Sequence, residues 1–122
     1  MAYDLYVITD EVVSGGRSHA EISREAIAGG ADAIQLRDKM SGIQALLTAG
    51  KEIRKITQKT YTLFIVNDRL DVALSCGADG VHLGQDDLRV DVARQIVPPG
   101  FIIGVSVGSV AEAVKAEQDG AD

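Results

Sequence analysis

The chain of 122 residues has one cysteine, two prolines, no tryptophan, three tyrosines and two phenylalanines. A single cysteine, Cys76, excludes an internal disulfide and multi-cysteine metal frameworks, and suits a reducing compartment. It is expected to be a small buried residue. Basic charge is also scarce: Lys and Arg number 12 against 18 Asp and Glu, for a net charge of −6. That balance leaves no broad cationic surface for a nucleic acid, although a compact basic site is still allowed. No basic-then-apolar leader opens the sequence, and no apolar run approaches the ~20 residues that span a bilayer. A cytoplasmic protein that binds neither nucleic acid nor membrane is expected. Three signatures are missing as well. The segment "SGGRS" at 14–18 is a poor match to G-x-G-x-x-G, and there is neither a G-x-x-x-x-G-K-[ST] loop nor a G-x-S-x-G elbow. Dinucleotide, P-loop and serine-hydrolase readings therefore lack their central residues.

What is present is a regular alternation. Short runs rich in β-branched residues, at 5–10, 33–39, 62–68, 80–85 and 101–107, predict strands. Amphipathic stretches at 18–28, 43–58, 70–76, 88–96 and 109–118 predict helices between them. Ser109 with Glu112 three residues on reads as a capping box, and Gly29, Gly77 and Gly120 read as helix stops. Helix-containing connections require parallel strands with right-handed crossovers.

The string Gly-Ala-Asp occurs at 30–32, 77–79 and 120–122, and its first two copies lead straight into strands. By the same physics a sixth strand is expected at or just after residue 122. The chain is therefore read as one domain over 1–122, supplying about the first five βα units of a (β/α)8 TIM barrel and stopping before the sixth strand.

Ligands of parallel α/β folds sit at the C-terminal strand ends. Here those ends carry Thr9-Asp10, Arg37-Asp38-Lys39, Asn67-Asp68, Gln85-Asp86-Asp87 and Ser106. Gln35, Arg37 and Lys39 share one strand face by alternation and are expected to line the rim. Arg supplies a planar fork of donors, Lys a point charge, and Asp the hard oxygens that Mg²⁺ prefers, so the set suits a diphosphate with a bridging divalent cation. Asp68 and Asp87 converge from adjacent strands, which is costly without a cation between them. His82 is expected to be a neutral histidine satisfied within the strand layer, and His19 to face solvent at a helix start.

The strings "QLRDK" (35–39), "VNDRLDVAL" (66–74), "GADGVHLGQDD" (77–87) and "IIGVS" (102–106), in this order, resemble the thiamine phosphate synthase family over nearly the whole chain. The resemblance implies a transferase of thiamine biosynthesis. It would join an aminopyrimidine-methyl pyrophosphate to hydroxyethylthiazole phosphate, giving thiamine monophosphate and pyrophosphate with Mg²⁺. Loss of pyrophosphate would come first, followed by capture of the pyrimidine-methyl cation by the thiazole nitrogen. It further implies that Gln35 contacts the pyrimidine, that Arg37, Lys39 and Asn67 contact the pyrophosphate, and that Ser106 contacts either. Asp68 and Asp87 would hold the magnesium, and Arg37, Lys39 and Ser106 would carry the catalysis.

Two departures follow from the same comparison. Val107-Gly108 stand where the family commonly has Thr-His, and the later strands that would carry the thiazole-phosphate site are absent, so these residues alone are expected to be inactive. Open strand edges predict a homo-oligomer or association with a second barrel half. Two other readings are a thiazole tautomerase of the same superfamily, which needs no magnesium-pyrophosphate site, and a non-catalytic half-barrel assembly module.

Overall fold

The computed structural model describes residues 3–122; of the domain read over 1–122, Met1 and Ala2 lie outside the described residues. Ten elements alternate along the chain: β1 (Tyr6–Ile8), α1 (His19–Ala28), β2 (Ala33–Leu36), α2 (Ile43–Thr57), β3 (Leu63–Asn67), α3 (Leu70–Ser75), β4 (Gly80–Leu83), α4 (Val90–Ile96), β5 (Ile102–Val105) and α5 (Val110–Gln118). All five strands are parallel and lie in the order β1-β2-β3-β4-β5. Successive right-handed crossovers that always step the same way put their helices on one face, which is the order of a barrel. A doubly wound sheet reverses its order instead. None of the helices among the described residues is long and apolar enough to cross a membrane.

Register assigns the two faces. Toward the helices point Leu36, Phe64, Val66, Val81, Leu83 and Ile103, packed with Leu46, Ile53, Val72 and Ala93 in one core. The opposite face is layered across the register. Ile8, Gln35, Ile65, Gly80 and Ile102 form one tier, and Asn67, His82 and Gly104 form the next, nearer the C-terminal ends. Close packing there demands small residues: a Cβ on Gly80 would lie 2.5 Å from the Ile102 carbonyl oxygen.

The Gly-Ala-Asp repeat has a physical cause. Each aspartate clamps the chain at the start of the preceding strand with a reciprocal pair of hydrogen bonds. Asp32, Asp79 and Asp122 donate their N–H to the carbonyls of Leu5, Phe64 and Ile103, each at 2.8 Å. Their Oδ2 atoms accept the N–H of those same residues at 2.8, 2.8 and 2.9 Å. The glycine of each copy has positive φ, at 91°, 70° and 105°, a turn that a side chain would strain. Gly29 is the C-cap of α1, as expected, and the positive φ falls on Gly30, the residue after it.

Strand and helix boundaries agree with the predicted runs within a few residues. β2 ends at Leu36, so Arg37 and Lys39 lie in the following loop rather than on the strand. Ser109 caps α5 by accepting from the Glu112 N–H, but Glu112 Oε2 accepts from Gly108 instead of closing the box. The complete capping box is at α1, between Ser18 and Glu21. Cys76 is buried and free, as expected. β1 and β5 have open edges, and Ile8, Val110 and Val114 stand exposed beside them.

Candidate functional site

The β-strand ends bring Arg37, Lys39, Asn67, Asp68, His82, Asp87 and Ser106 around one hollow of about 340 Å³, with Gly84, Gln85 and Asp86 completing its wall. Six of the seven residues predicted for the site thus share one concavity. Gln35 is the exception. It is buried one tier below, where its Nε2 donates to the Tyr6 hydroxyl at 3.1 Å and its Oε1 lies 2.9 Å from the Asn67 amide. It meets the hollow only through Asn67.

Asp68 is the only non-glycine residue with positive φ, 62°, among the described residues. Aspartate tolerates this conformation better than most side chains, and two bonds enforce it here. Its N–H donates to the His82 carbonyl at 2.8 Å, and the next N–H, of Arg69, turns back onto the Asn67 carbonyl at 2.7 Å. The bend lets one short segment present both Asn67 and Asp68, whose side chains approach to 3.2 Å. Lys39 reaches across from the β2–α2 loop and pairs with Asp68.

Asp87 returns from the β4–α4 turn, where its Oδ2 accepts the Gly84 N–H at 2.7 Å. Burial pushes its carboxyl above the usual range, and the hydrogen bond and charge of neighbouring Asp68 push the same way. The Gly84 N–H and the Lys39 charge only partly offset this. Two carboxylates that repel each other in a half-buried hollow are the donor set a hard divalent cation relieves. The residues present fit such an ion.

His82 is a partnered histidine within the strand layer, as expected, and it also stands in the wall of the hollow. Its Nε2 lies 2.8 Å from Ser106 Oγ. Burial lowers its pKa and outweighs the charges of Asp68 and Asp87, so the ring is neutral at neutral pH. The signal that could have shown this is the run Gly80, His82, Gly84 on one face, opposite Gly104, which marks a crowded interior. Ser106 is further fixed by its own carbonyl, which accepts from Gln85 Nε2 at 2.8 Å. In the loop beyond, Val107 is exposed.

His19 requires a correction. It does not face solvent: it is buried with 4% of its surface exposed, between Thr9 and Asp38. Polar partners on both ring nitrogens satisfy it, and the sequence pattern of a helix start could not show that the β1 and β2 ends converge upon it.

The model of the family described as thiamine monophosphate synthase matches residues 5–122. A thiamine-phosphate synthase of Methanoregula boonei is 69% identical over the whole chain, and one of Methanoculleus marisnigri is 62% identical. This chain covers 56% and 58% of those relatives, so it spans little more than half of their length. The solved structure of a thiamine phosphate pyrophosphorylase from Pyrococcus furiosus superposes with a TM-score of 0.89 at 47% identity. That match covers 97% of this chain and 56% of the other.

Proposed function

Since the chain belongs to the thiamine monophosphate synthase family, we propose that it supplies the diphosphate-binding half of an enzyme coupling an aminopyrimidine-methyl diphosphate to hydroxyethylthiazole phosphate. The observation that carries this reading is the hollow itself: Arg37 and Lys39 face Asp68 and Asp87 within one cavity at the strand ends. Cations to meet a polyanion and paired acids to hold a metal are what a departing diphosphate needs.

In this reading Arg37 grips diphosphate oxygens with its fork, and Lys39, drawn toward Asp68, adds a second positive charge. Asn67 adds an amide donor. Asp68 and Asp87 would hold Mg²⁺ through carboxylate oxygens; bound there, the ion would neutralise the growing charge of the leaving group. The bond between the pyrimidine methylene carbon and the diphosphate oxygen breaks, and its electron pair leaves with diphosphate. The thiazole nitrogen then donates its lone pair to the methylene cation, forming the new C–N bond. Ser106, held by neutral His82, offers its hydroxyl to the pyrimidine or the diphosphate, and Gln35 orients Asn67 from below. We place the protein in the cytoplasm, and its open β1 and β5 edges covered by another barrel half or another copy.

The experiment is calorimetric titration of the complete polypeptide with inorganic pyrophosphate, with and without Mg²⁺, followed by a coupling assay on the two substrates. Magnesium-dependent binding, lost in Asp87→Ala, is the expected result. A well-folded protein that ignores pyrophosphate in both conditions would overturn the reading and favour a tautomerase-like activity.

A further inference from the structure

The loop that carries Arg37 and Lys39 begins where strand pairing stops, since β2 ends at Leu36. Two long cationic side chains on an unpaired loop lose much conformational freedom when a ligand orders them, unless something fixes their backbone first. The fixing group is a buried polar cluster. Thr9 Oγ1 accepts the Arg37 N–H at 3.2 Å, and lies 2.8 Å from His19 Nδ1. On the other side of the ring, His19 Nε2 is 3.1 Å from Asp38 Oδ2. Asp38 sits between the two cations in sequence, and its Oδ1 accepts the N–H groups of Met40 and Ser41, both at 2.9 Å.

One proton position follows. An ionised carboxylate can only accept, so Nε2 carries a hydrogen and donates to Asp38, while Nδ1 pairs with the Thr9 hydroxyl on the other side of the ring. Each polar atom of the cluster then has a partner. The ring is itself anchored, because His19 opens α1 directly after its N-cap Ser18, inside the Ser18–Glu21 capping box, and its carbonyl accepts from Ser23 Oγ at 2.7 Å. Helix α1, the end of β1 and the β2–α2 loop thus meet at one imidazole.

We propose that His19 is a positioning residue, which sets Arg37 and Lys39 for diphosphate by clamping the backbone on both sides of them through Thr9 and Asp38. This rests on the diphosphate reading above. Glu11 Oε1, 3.7 Å from Nε2, gathers with His19 and Asp38 in a group that a divalent metal could also join. Because the ring nitrogens and the Asp38 oxygens are already partnered, the cluster acts as a clamp rather than a metal site.

The test compares wild type, His19→Ala, His19→Gln and Thr9→Val in the complete polypeptide. Magnesium-pyrophosphate affinity is read by calorimetry, KM for each substrate and kcat by steady-state assay, and folding by circular dichroism. Glutamine keeps an N–H near the Nε2 position; valine keeps the shape of threonine and removes its hydroxyl. The expected result is a loss of about ten- to a hundred-fold in pyrophosphate affinity for His19→Ala and Thr9→Val. KM for the diphosphate substrate should rise alone, that for the thiazole phosphate should stay unchanged, and His19→Gln should recover most of the loss. A folded His19→Ala or Thr9→Val with wild-type pyrophosphate affinity would overturn the clamp while leaving the diphosphate reading in place. So would saturable Zn²⁺ binding that disappears in His19→Ala without change in pyrophosphate affinity. Failure of wild type to bind pyrophosphate would overturn both.

Discussion

His82 and Gly104 stand opposite each other in the β4–β5 register, and a Cβ added to Gly104 would lie 2.6 Å from His82 Nδ1. No real Cβ sits that close, so any side chain at 104 must displace the imidazole from Ser106, its partner at 2.8 Å. Gly104→Ala should therefore weaken magnesium-dependent pyrophosphate binding by about tenfold. Its stability cost should be about 1–3 kcal/mol. Calorimetry and urea denaturation read the two quantities, and unchanged binding would detach His82 from the site.

Gly80 has a harder neighbour. Its added Cβ would meet backbone, the Ile102 carbonyl oxygen, at 2.5 Å, as well as the Ile65 side chain at 2.9 Å. Backbone cannot rotate away as an imidazole can. Gly80→Ala should cost about 3 kcal/mol or more, and the loss of midpoint in urea should exceed that of Gly104→Ala.

The raised Asp87 carboxyl makes a prediction of opposite sign. A folded pKa above the unfolded value means that stability is fullest below the ordinary carboxyl range and falls as pH rises through the folded pKa. Asp87→Asn removes the like charge, can keep the acceptor for the Gly84 N–H, and can donate to Asp68. It should raise stability at pH 7 by about 0.5 kcal/mol, abolish magnesium-dependent pyrophosphate binding, and lose its stability advantage at acidic pH. A variant less stable than wild type at every pH would contradict the repulsion.

Asp38 runs the other way. Burial alone would raise its carboxyl, but hydrogen bonds from Ser41, Met40 and His19 outweigh that and hold it well below the usual range. Its contribution is present above the ordinary carboxyl pKa of about 4 and is lost as pH falls through the depressed value. The difference in melting temperature between wild type and Asp38→Ala should thus be wide at pH 7 and shrink below about pH 4. A constant difference across that window would show that the carboxylate charge is irrelevant.

Asp79 tests the repeat. Its Oδ2 takes the Phe64 N–H at 2.8 Å and Arg54 Nη1 at 3.0 Å, tying α2 to β3. Asp79→Ala leaves a strand N–H unpaired, and should cost about 1–3 kcal/mol in chemical denaturation while leaving pyrophosphate affinity intact.

Much of the fold is legible in the sequence. Hydrophobic alternation gave the order of strands and helices because burial of one face forces period on the residues themselves, as in Phe64 and Val66 or Val81 and Leu83. The polar strand ends of Asn67-Asp68 and Gln85-Asp87 were visible for a related reason: acids end up there only where a rim faces water or a ligand. Gln35, by contrast, is buried below the rim that its alternation predicts, because alternation tells which face a side chain takes and not how deep along the strand it lies.

Chain chemistry by itself determined the parallel α/β class, the Gly-Ala-Asp turns and the set of cations and acids, because each depends on neighbours a few residues apart. Only the tertiary structure decided which of them meet. His19 was hidden between strands one and two, His82 was turned toward Ser106, and Asp68 was pushed against Asp87. Those encounters depend on register between segments 10 to 24 residues apart, and no local periodicity carries that distance.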